Sequence, residues 1–152
     1  MAKINIYYIA KPAKDEFDTI INEFIKMSSK YATLKVHCIF NKNIAKAQTI
    51  SQNEAQQSYT QAYENYLTGY NVALDVLGKK MDSHKFSELL EGKNEINFFI
   101  GGAYGFEKSF LNKCNSIISL SDLTMAHKVA NVVLCEQVFR GLCINNNHPY
   151  HK

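Results

Sequence analysis

An α/β protein with a parallel sheet covered on both faces is the fold this sequence predicts. Two observations carry that prediction. Apolar segments of strand length are separated, one after another, by segments of helical spacing, the order that puts helices on both sides of a parallel sheet. No internal repeat, low-complexity tract or change of composition divides the chain, so residues 1–152 are expected to form a single domain.

The elements follow in order. Asn5 to Ala10, within KINIYYIA, reads as a buried strand rich in Ile and Tyr. A helix is expected from about Asp15 to Lys30, with Phe17, Ile20, Ile21, Phe24 and Ile25 at helical spacing. Thr33 to Phe40 alternates apolar and polar residues as a second strand does. Asn41 to Ala47 is polar and unassigned. Gln48 to Leu67 suits one long helix, with Ile50, Ala55, Tyr59, Ala62, Tyr63 and Tyr66 near one face. Asn71 to Gly78 is a third strand, and Asp82 can cap a short helix ending at Glu91–Gly92. Glu95 to Gly102 is a strand that runs into two glycines. A helix from Glu107 to Lys113, a last strand from Ser116 to Leu120 and a final helix from Thr124 to Cys143 complete the chain. In such sheets ligands bind beyond the carboxyl ends of the strands. Leu74–Asp75, Gly101–Gly102 and Leu120–Ser121 are therefore the ends of interest.

Composition excludes little. Apolar residues are 46% of the chain and charged residues 20%, as in ordinary globular proteins. No apolar run reaches the length of a membrane span, and MAKINIYYIAK lacks the pattern of a signal peptide, so a cytoplasmic protein without a membrane partner is expected. Cys38, Cys114, Cys135 and Cys143 form no CxxC pair and are expected as free thiols. A formal net charge of +3 permits a polyanionic partner without demanding one.

Three motifs carry the chemistry, each with a plain structural alternative. GGAYG, Gly101 to Gly105, follows a strand and precedes a helix: it either brings backbone amides close to a ligand or is only a tight turn. It is neither GxGxxG nor a P-loop, which disfavours a dinucleotide site. LSDLTMAH, Leu120 to His127, opens the last helix, where Ser121, Asp122 or Thr124 can each cap. Glu136 and Arg140 share a helix face, as a surface ion pair of little worth or, if another subunit covers them, with Arg140 reaching phosphate. The chain ends on NNNHPYHK, an unusual concentration of titratable groups for a terminus. Cys143, His148 and His151 do not make the four-ligand pattern of structural zinc, and no metal is expected.

GGxxG after an apolar strand, LSxLTxxH, a helix with EQxxR and a terminal HPYHK, in that order, resemble the ribosomal RNA large subunit methyltransferase H family of SPOUT methyltransferases. The resemblance spans the whole chain, but its specificity lies in the C-terminal half, and Asn41 to Gln57 match nothing in it. Ala126 stands where proline is common, Tyr104 where a small or acidic residue is, Phe139 for tyrosine and Gly141 for alanine. The resemblance implies a parallel-sheet SPOUT fold with a deep trefoil knot at the C-terminal end, a homodimer, and S-adenosylmethionine as cofactor. It implies methylation of N3 of a pseudouridine in 23S ribosomal RNA on assembled ribosomes, with no DNA partner. By position it assigns cofactor contacts to Leu74, Gly101, Leu120, Ser121, Asp122, Leu123, Thr124 and Met125, with Gly102 allowing close passage. An apolar slot of leucines and Met125 around a flat purine, read by backbone groups, agrees with those residue types. For catalysis the expected residues are Tyr150 and His151, then Arg140, with His148 and His127 behind them. The expectation requires the tail to close over the cofactor pocket, from the same chain or its partner. The rival readings are a non-catalytic RNA-binding SPOUT module, a SPOUT enzyme for another RNA target, and a generic flavodoxin-like nucleotide domain.

Overall fold

The computed structural model describes residues 1–152. In order, the elements are β1 (Ala2–Ile9), α1 (Glu16–Ser28), β2 (Ala32–Ile39), α2 (Lys42–Ala47), α3 (Gln52–Tyr63), a single 3-10 turn (Glu64–Tyr66), β3 (Tyr70–Lys80), α4 (Ser83–Leu90), β4 (Glu95–Ile100), α5 (Lys108–Lys113), β5 (Ser116–Ser119) and α6 (His127–Asn145). The five strands form one sheet in the order β2-β1-β4-β3-β5, every neighbouring pair parallel. The α/β parallel-sheet expectation therefore holds.

Because successive strand residues face opposite ways, β1 and β4 each feed two cores. Ile4, Ile6, Ile96 and Phe98 pack with Ile21 of α1, Phe86 of α4 and Leu134 and Val138 of α6. Tyr7, Ile9 and Phe99 pack with Tyr59 and Tyr63 of α3 and with Phe106 and Phe110 on the opposite face. Tyr63 is fully buried, and its hydroxyl donates to the Ile100 carbonyl at 2.6 Å, with the Tyr7 carbonyl at 3.2 Å as a second acceptor. The phenol thus satisfies itself where β4 ends, immediately before Gly101.

The long helix expected over Gln48–Leu67 is broken, and the unassigned Asn41–Ala47 is itself helical. Side chains compete with the helix here. The Asn41 side chain accepts from the Ile44 amide at 2.7 Å and starts α2. The Thr49 hydroxyl donates to the Lys46 carbonyl at 2.6 Å, and Ser51 accepts from the Glu54 amide at 3.1 Å to start α3 afresh. Ile50 consequently lies exposed in the break. The final helix also starts later than expected, at His127 rather than Thr124, and none of Ser121, Asp122 or Thr124 caps it. Ser121 instead accepts from the Leu123 amide at 3.0 Å, folding Leu120–Met125 into a loop.

β3 outruns its expected end at Gly78. Leu74 and Lys79 both pair with Ile118 of β5, so Asp75–Gly78 bulges out of the ladder. The chain returns so close to β5 that a Cβ on Gly78 would stand 2.6 Å from the Ile118 carbonyl carbon. Gly78→Ala is expected to cost about 1–3 kcal/mol through overpacking against backbone that cannot yield. A lowered urea midpoint at unchanged m-value is the result that checks it.

Candidate functional site

The three strand ends singled out in the sequence converge. Leu74 and Asp75, where β3 leaves its ladder with β4, Gly101 after β4, and Ser119 to Ser121 at the end of β5 line one cleft of about 180 Å³, closed by Leu123, Thr124 and Met125 of the following loop and by Phe106. Its walls come mostly from chain excursions, with α6 contributing Ala130. The β3 bulge brings Asp75 and Val76 to one side, and the Leu120–Met125 loop forms the other. The Ser119 hydroxyl donates to the Ser121 carbonyl at 2.9 Å, and Lys80 of β3 pairs with Asp122, which ties the two walls together from outside.

The glycine turn forms the floor. Gly105 donates to the Gly102 carbonyl at 3.0 Å and adopts φ +75°, a conformation that favours glycine. Gln56 of α3 donates to the Tyr104 carbonyl at 2.8 Å and holds the turn from behind. Gly101 lines the cleft, whereas Gly102 lies behind it, where any side chain would run into the ring of Tyr59. Asp122 likewise stays outside the lining, exposed and paired with Lys80. Leu74, Gly101, Leu120, Ser121, Leu123, Thr124 and Met125 do come together as expected. A roomier cleft of about 690 Å³ lies between α1 and β2, but it gathers neither the glycine turn nor the late loop.

The tail is elsewhere within the chain. Arg140 lies ten residues past Ala130, the α6 residue that lines the cleft, about 15 Å at the helical rise. There the Glu136 carboxylate is a hub: it accepts from Arg140 Nη2 at 2.7 Å, from the Tyr150 hydroxyl at 2.7 Å and from the Gln137 amide at 2.8 Å. The Arg140 guanidinium also lies 4.7 Å from the Tyr150 ring centroid, and Arg140 Nη1 donates to His151 Nδ1 at 3.0 Å. Since guanidinium can only donate, His151 accepts at Nδ1 and carries its ring proton on Nε2. His148 holds the Tyr150 amide at 3.2 Å, and Asn147 at φ 58° makes the turn that folds the tail back. His127 stacks on Tyr8 with ring centroids 5.9 Å apart and braces the start of α6, and desolvation by that packing and neighbouring Lys128 hold its ring below its ordinary range.

Closure of the tail over the cleft by its own chain, one arrangement that the sequence allowed, is therefore not what this chain does. Tyr150, His151 and Arg140 are brought together with one another, not with the cleft. The part sequence reasoning missed is Glu136 as their anchor. The EQxxR spacing showed the Arg140 contact, but nothing in spacing shows that Tyr150 returns to the same carboxylate.

Burial pushes the Glu136 carboxyl up, but hydrogen bonds from Arg140 and Tyr150 outweigh it and hold the carboxyl below its ordinary value. A depressed carboxylate contributes stability that is present above its unfolded pKa and is lost as pH falls through its folded one. Tail docking should thus weaken only in acid, below about pH 4. Glu136→Ala should release the tail at neutral pH, and faster trimming of His151 and Lys152 by a carboxypeptidase, at unchanged melting of the core, is the expected observation.

A profile described as "Predicted SPOUT methyltransferase" matches residues 2–151. The protein named Ribosomal RNA large subunit methyltransferase H in Aliarcobacter butzleri (strain RM4018) is 72% identical over 150 residues, covering 99% of each chain. The chain belongs to that SPOUT methyltransferase family. A second member of the same name, from Sulfurovum sp. (strain NBC37-1), is 50% identical over 152 residues, again covering 99% of each. Among solved structures, a "probable methylase family protein" from Haemophilus influenzae Rd KW20 superposes with a TM-score of 0.54 at 13% identity, over 95% of this chain and 66% of that one. A Bacillus anthracis protein superposes at 0.52 and 15% identity, over 99% and 97%. At such identities the likeness is one of fold. It places the cleft of this SPOUT methyltransferase within an architecture that recurs at little sequence similarity.

Proposed function

We propose that this SPOUT methyltransferase transfers a methyl group from S-adenosylmethionine to N3 of a pseudouridine in 23S ribosomal RNA of the assembled ribosome. It would do so as a homodimer whose C-terminal region is a deep trefoil knot. The observation that carries the reading is the cleft, in which the glycine turn and the late loop of the family motif meet at the strand ends. The name of the 72% identical relative supports ribosomal RNA as the substrate.

The residues fit the cofactor. Leu74, Leu120, Leu123 and Met125 offer an apolar slot for a purine, and backbone groups around Gly101 and Ser121 can read its polar edge. At about 180 Å³ the cleft is below the roughly 300–1,000 Å³ of ligand pockets in general, so its lining would hold the purine end of the cofactor. Bound there, S-adenosylmethionine supplies a methyl carbon that is already electrophilic. The protein has then to orient the base in line and to remove the imide proton from N3. Tyr150 can stack on or hydrogen-bond the base, Arg140 can hold phosphate or the developing imide charge, and His151 sits beside both. His151 can serve as the base only after its Nδ1 is released from Arg140.

Arg140 stands ten residues, about 15 Å of helix, beyond Ala130, the α6 residue that lines the cleft, so in the proposed dimer these groups would serve the cleft of the second subunit. Ile20 and Met27 of α1 and Val129 of α6 are exposed although α1 and α6 pack side by side, an apolar surface of the kind a subunit interface covers. The deciding experiment is mass spectrometry of 23S ribosomal RNA from cells lacking this protein. One pseudouridine is expected to lose a methyl group and to regain it with the purified protein; an unaltered methylation pattern would refute the reading.

A further inference from the structure

At the sheet edge away from the cleft, β2 has no neighbour on its outer side, and a row of aromatic rings ends there. His37, Tyr7 and Phe99 occupy paired positions on β2, β1 and β4, and their rings stack. Tyr7 lies 4.7 Å from His37 and 5.2 Å from Phe99, with planes 16° and 14° apart. Tyr66, on the 3-10 turn, stacks on Tyr7 at 4.6 Å and remains 37% exposed.

Beside the rings runs a directed hydrogen-bond row. Asn5 donates its amide to Asn97 at 3.0 Å, and Asn97 donates to Asn71 at 3.2 Å. The Asn5 oxygen consequently faces His37 and accepts from Nε2 at 3.1 Å. That sets the tautomer, leaving Nδ1 an acceptor, and burial together with Lys35 depresses the ring so that it is neutral at pH 7. Lys3 and Lys35 are exposed and, with Thr33 and Glu95, border a cleft of about 270 Å³ around His37. Residues 1–46, which contain β1, α1 and β2, hold eight lysines against four acidic residues, whereas the rest of the chain holds nine basic and ten acidic ones.

Lysines alone on an edge strand serve to discourage pairing with another sheet. That role does not require a fixed, neutral ring at the end of a stack. We propose that this edge docks an unpaired ribonucleotide of the substrate RNA, its base stacked on His37 and its phosphate held by Lys3 and Lys35. The combination of an aromatic platform with flanking cations is the chemistry by which single-stranded RNA is held. With strands about 4.8 Å apart, β2 stands about 15 Å from β3. The docked nucleotide is thus a neighbour of the methylated one and takes no part in the reaction. The inference rests on the reading that the substrate is RNA.

Anisotropy of a fluorescein-labelled single-stranded oligouridylate at low salt tests it with the full chain, alongside calorimetry of S-adenosylmethionine and KM for ribosomes. His37→Ala and Lys35→Glu should each weaken oligouridylate binding about tenfold and raise the ribosome KM similarly, with cofactor affinity unchanged. His37→Phe, which keeps a flat ring, should restore binding. Equal oligouridylate affinity in wild type, His37→Ala and Lys35→Glu overturns the proposal, and so does a loss that His37→Phe fails to recover. Lys35 is exposed, so its variant reports even if His37→Ala unfolds. Should the wild type leave ribosomes unmethylated while RNA binding still depends on His37, the docking site stands and the proposed reaction falls.

Discussion

Deleting Tyr150, His151 and Lys152 is expected to abolish methyl transfer while leaving the affinity for S-adenosylmethionine nearly intact. The cleft contains none of these residues, so its apolar walls and glycine floor survive the truncation. What disappears is the phenol that Glu136 holds at 2.7 Å and the imidazole that Arg140 holds at 3.0 Å. Proton removal and base positioning by such groups contribute typically 10²–10⁴-fold, so single-turnover rates should fall at least that far. Glu136 and Arg140 remain paired after truncation, with Arg140 Nε also 3.3 Å from the carboxylate, and α6 should persist. Calorimetry and turnover measured on the same preparation separate the two effects. Wild-type turnover in the truncated protein would dismiss the tail from catalysis.

Gly101→Val should act in the opposite sense and remove cofactor binding. A Cβ at Gly101 would lie 3.3 Å from the Gly105 Cα and 3.4 Å from the Phe106 ring. A methyl fits there only tightly, and the branches of valine must project into the cleft or spread the turn. Either result displaces the amides expected to read the purine edge, and an affinity loss of two orders of magnitude or more is expected, equivalent to about 2.8 kcal/mol. Undiminished heat of S-adenosylmethionine binding would mean that the cofactor sits elsewhere.

Both experiments bear on residues whose importance was legible in sequence to different degrees. The strands were readable because apolar segments such as EINFFI are dictated by burial on both faces, and in β4 five consecutive residues from Ile96 to Ile100 are indeed buried. The cap at Asp82 was readable because it is local: its side chain accepts from the Lys85 amide at 2.9 Å. The cleft was readable as three strand ends because a parallel sheet brings such ends together. The break at Gln48–Ser51 was not, since side chains that compete for the backbone leave the apolar spacing looking continuous. The bulge at Asp75–Gly78 depends on how β5 lies against β3, which no local pattern encodes. Tyr59 looked like a core residue, and it is one; its second task, filling the space that Gly102 leaves, needs the fold to be seen.

The distance along α6 between anchored tail and cleft has a genetic consequence. In a two-fold dimer of the proposed kind, a chain with a ruined cleft still lends a sound tail, and a truncated chain still lends a sound cleft. Two inactive proteins, Gly101→Val and the tail deletion, should therefore rescue one another when co-expressed. Random pairing makes half the particles mixed, each with one competent centre of two, which restores about a quarter of normal activity.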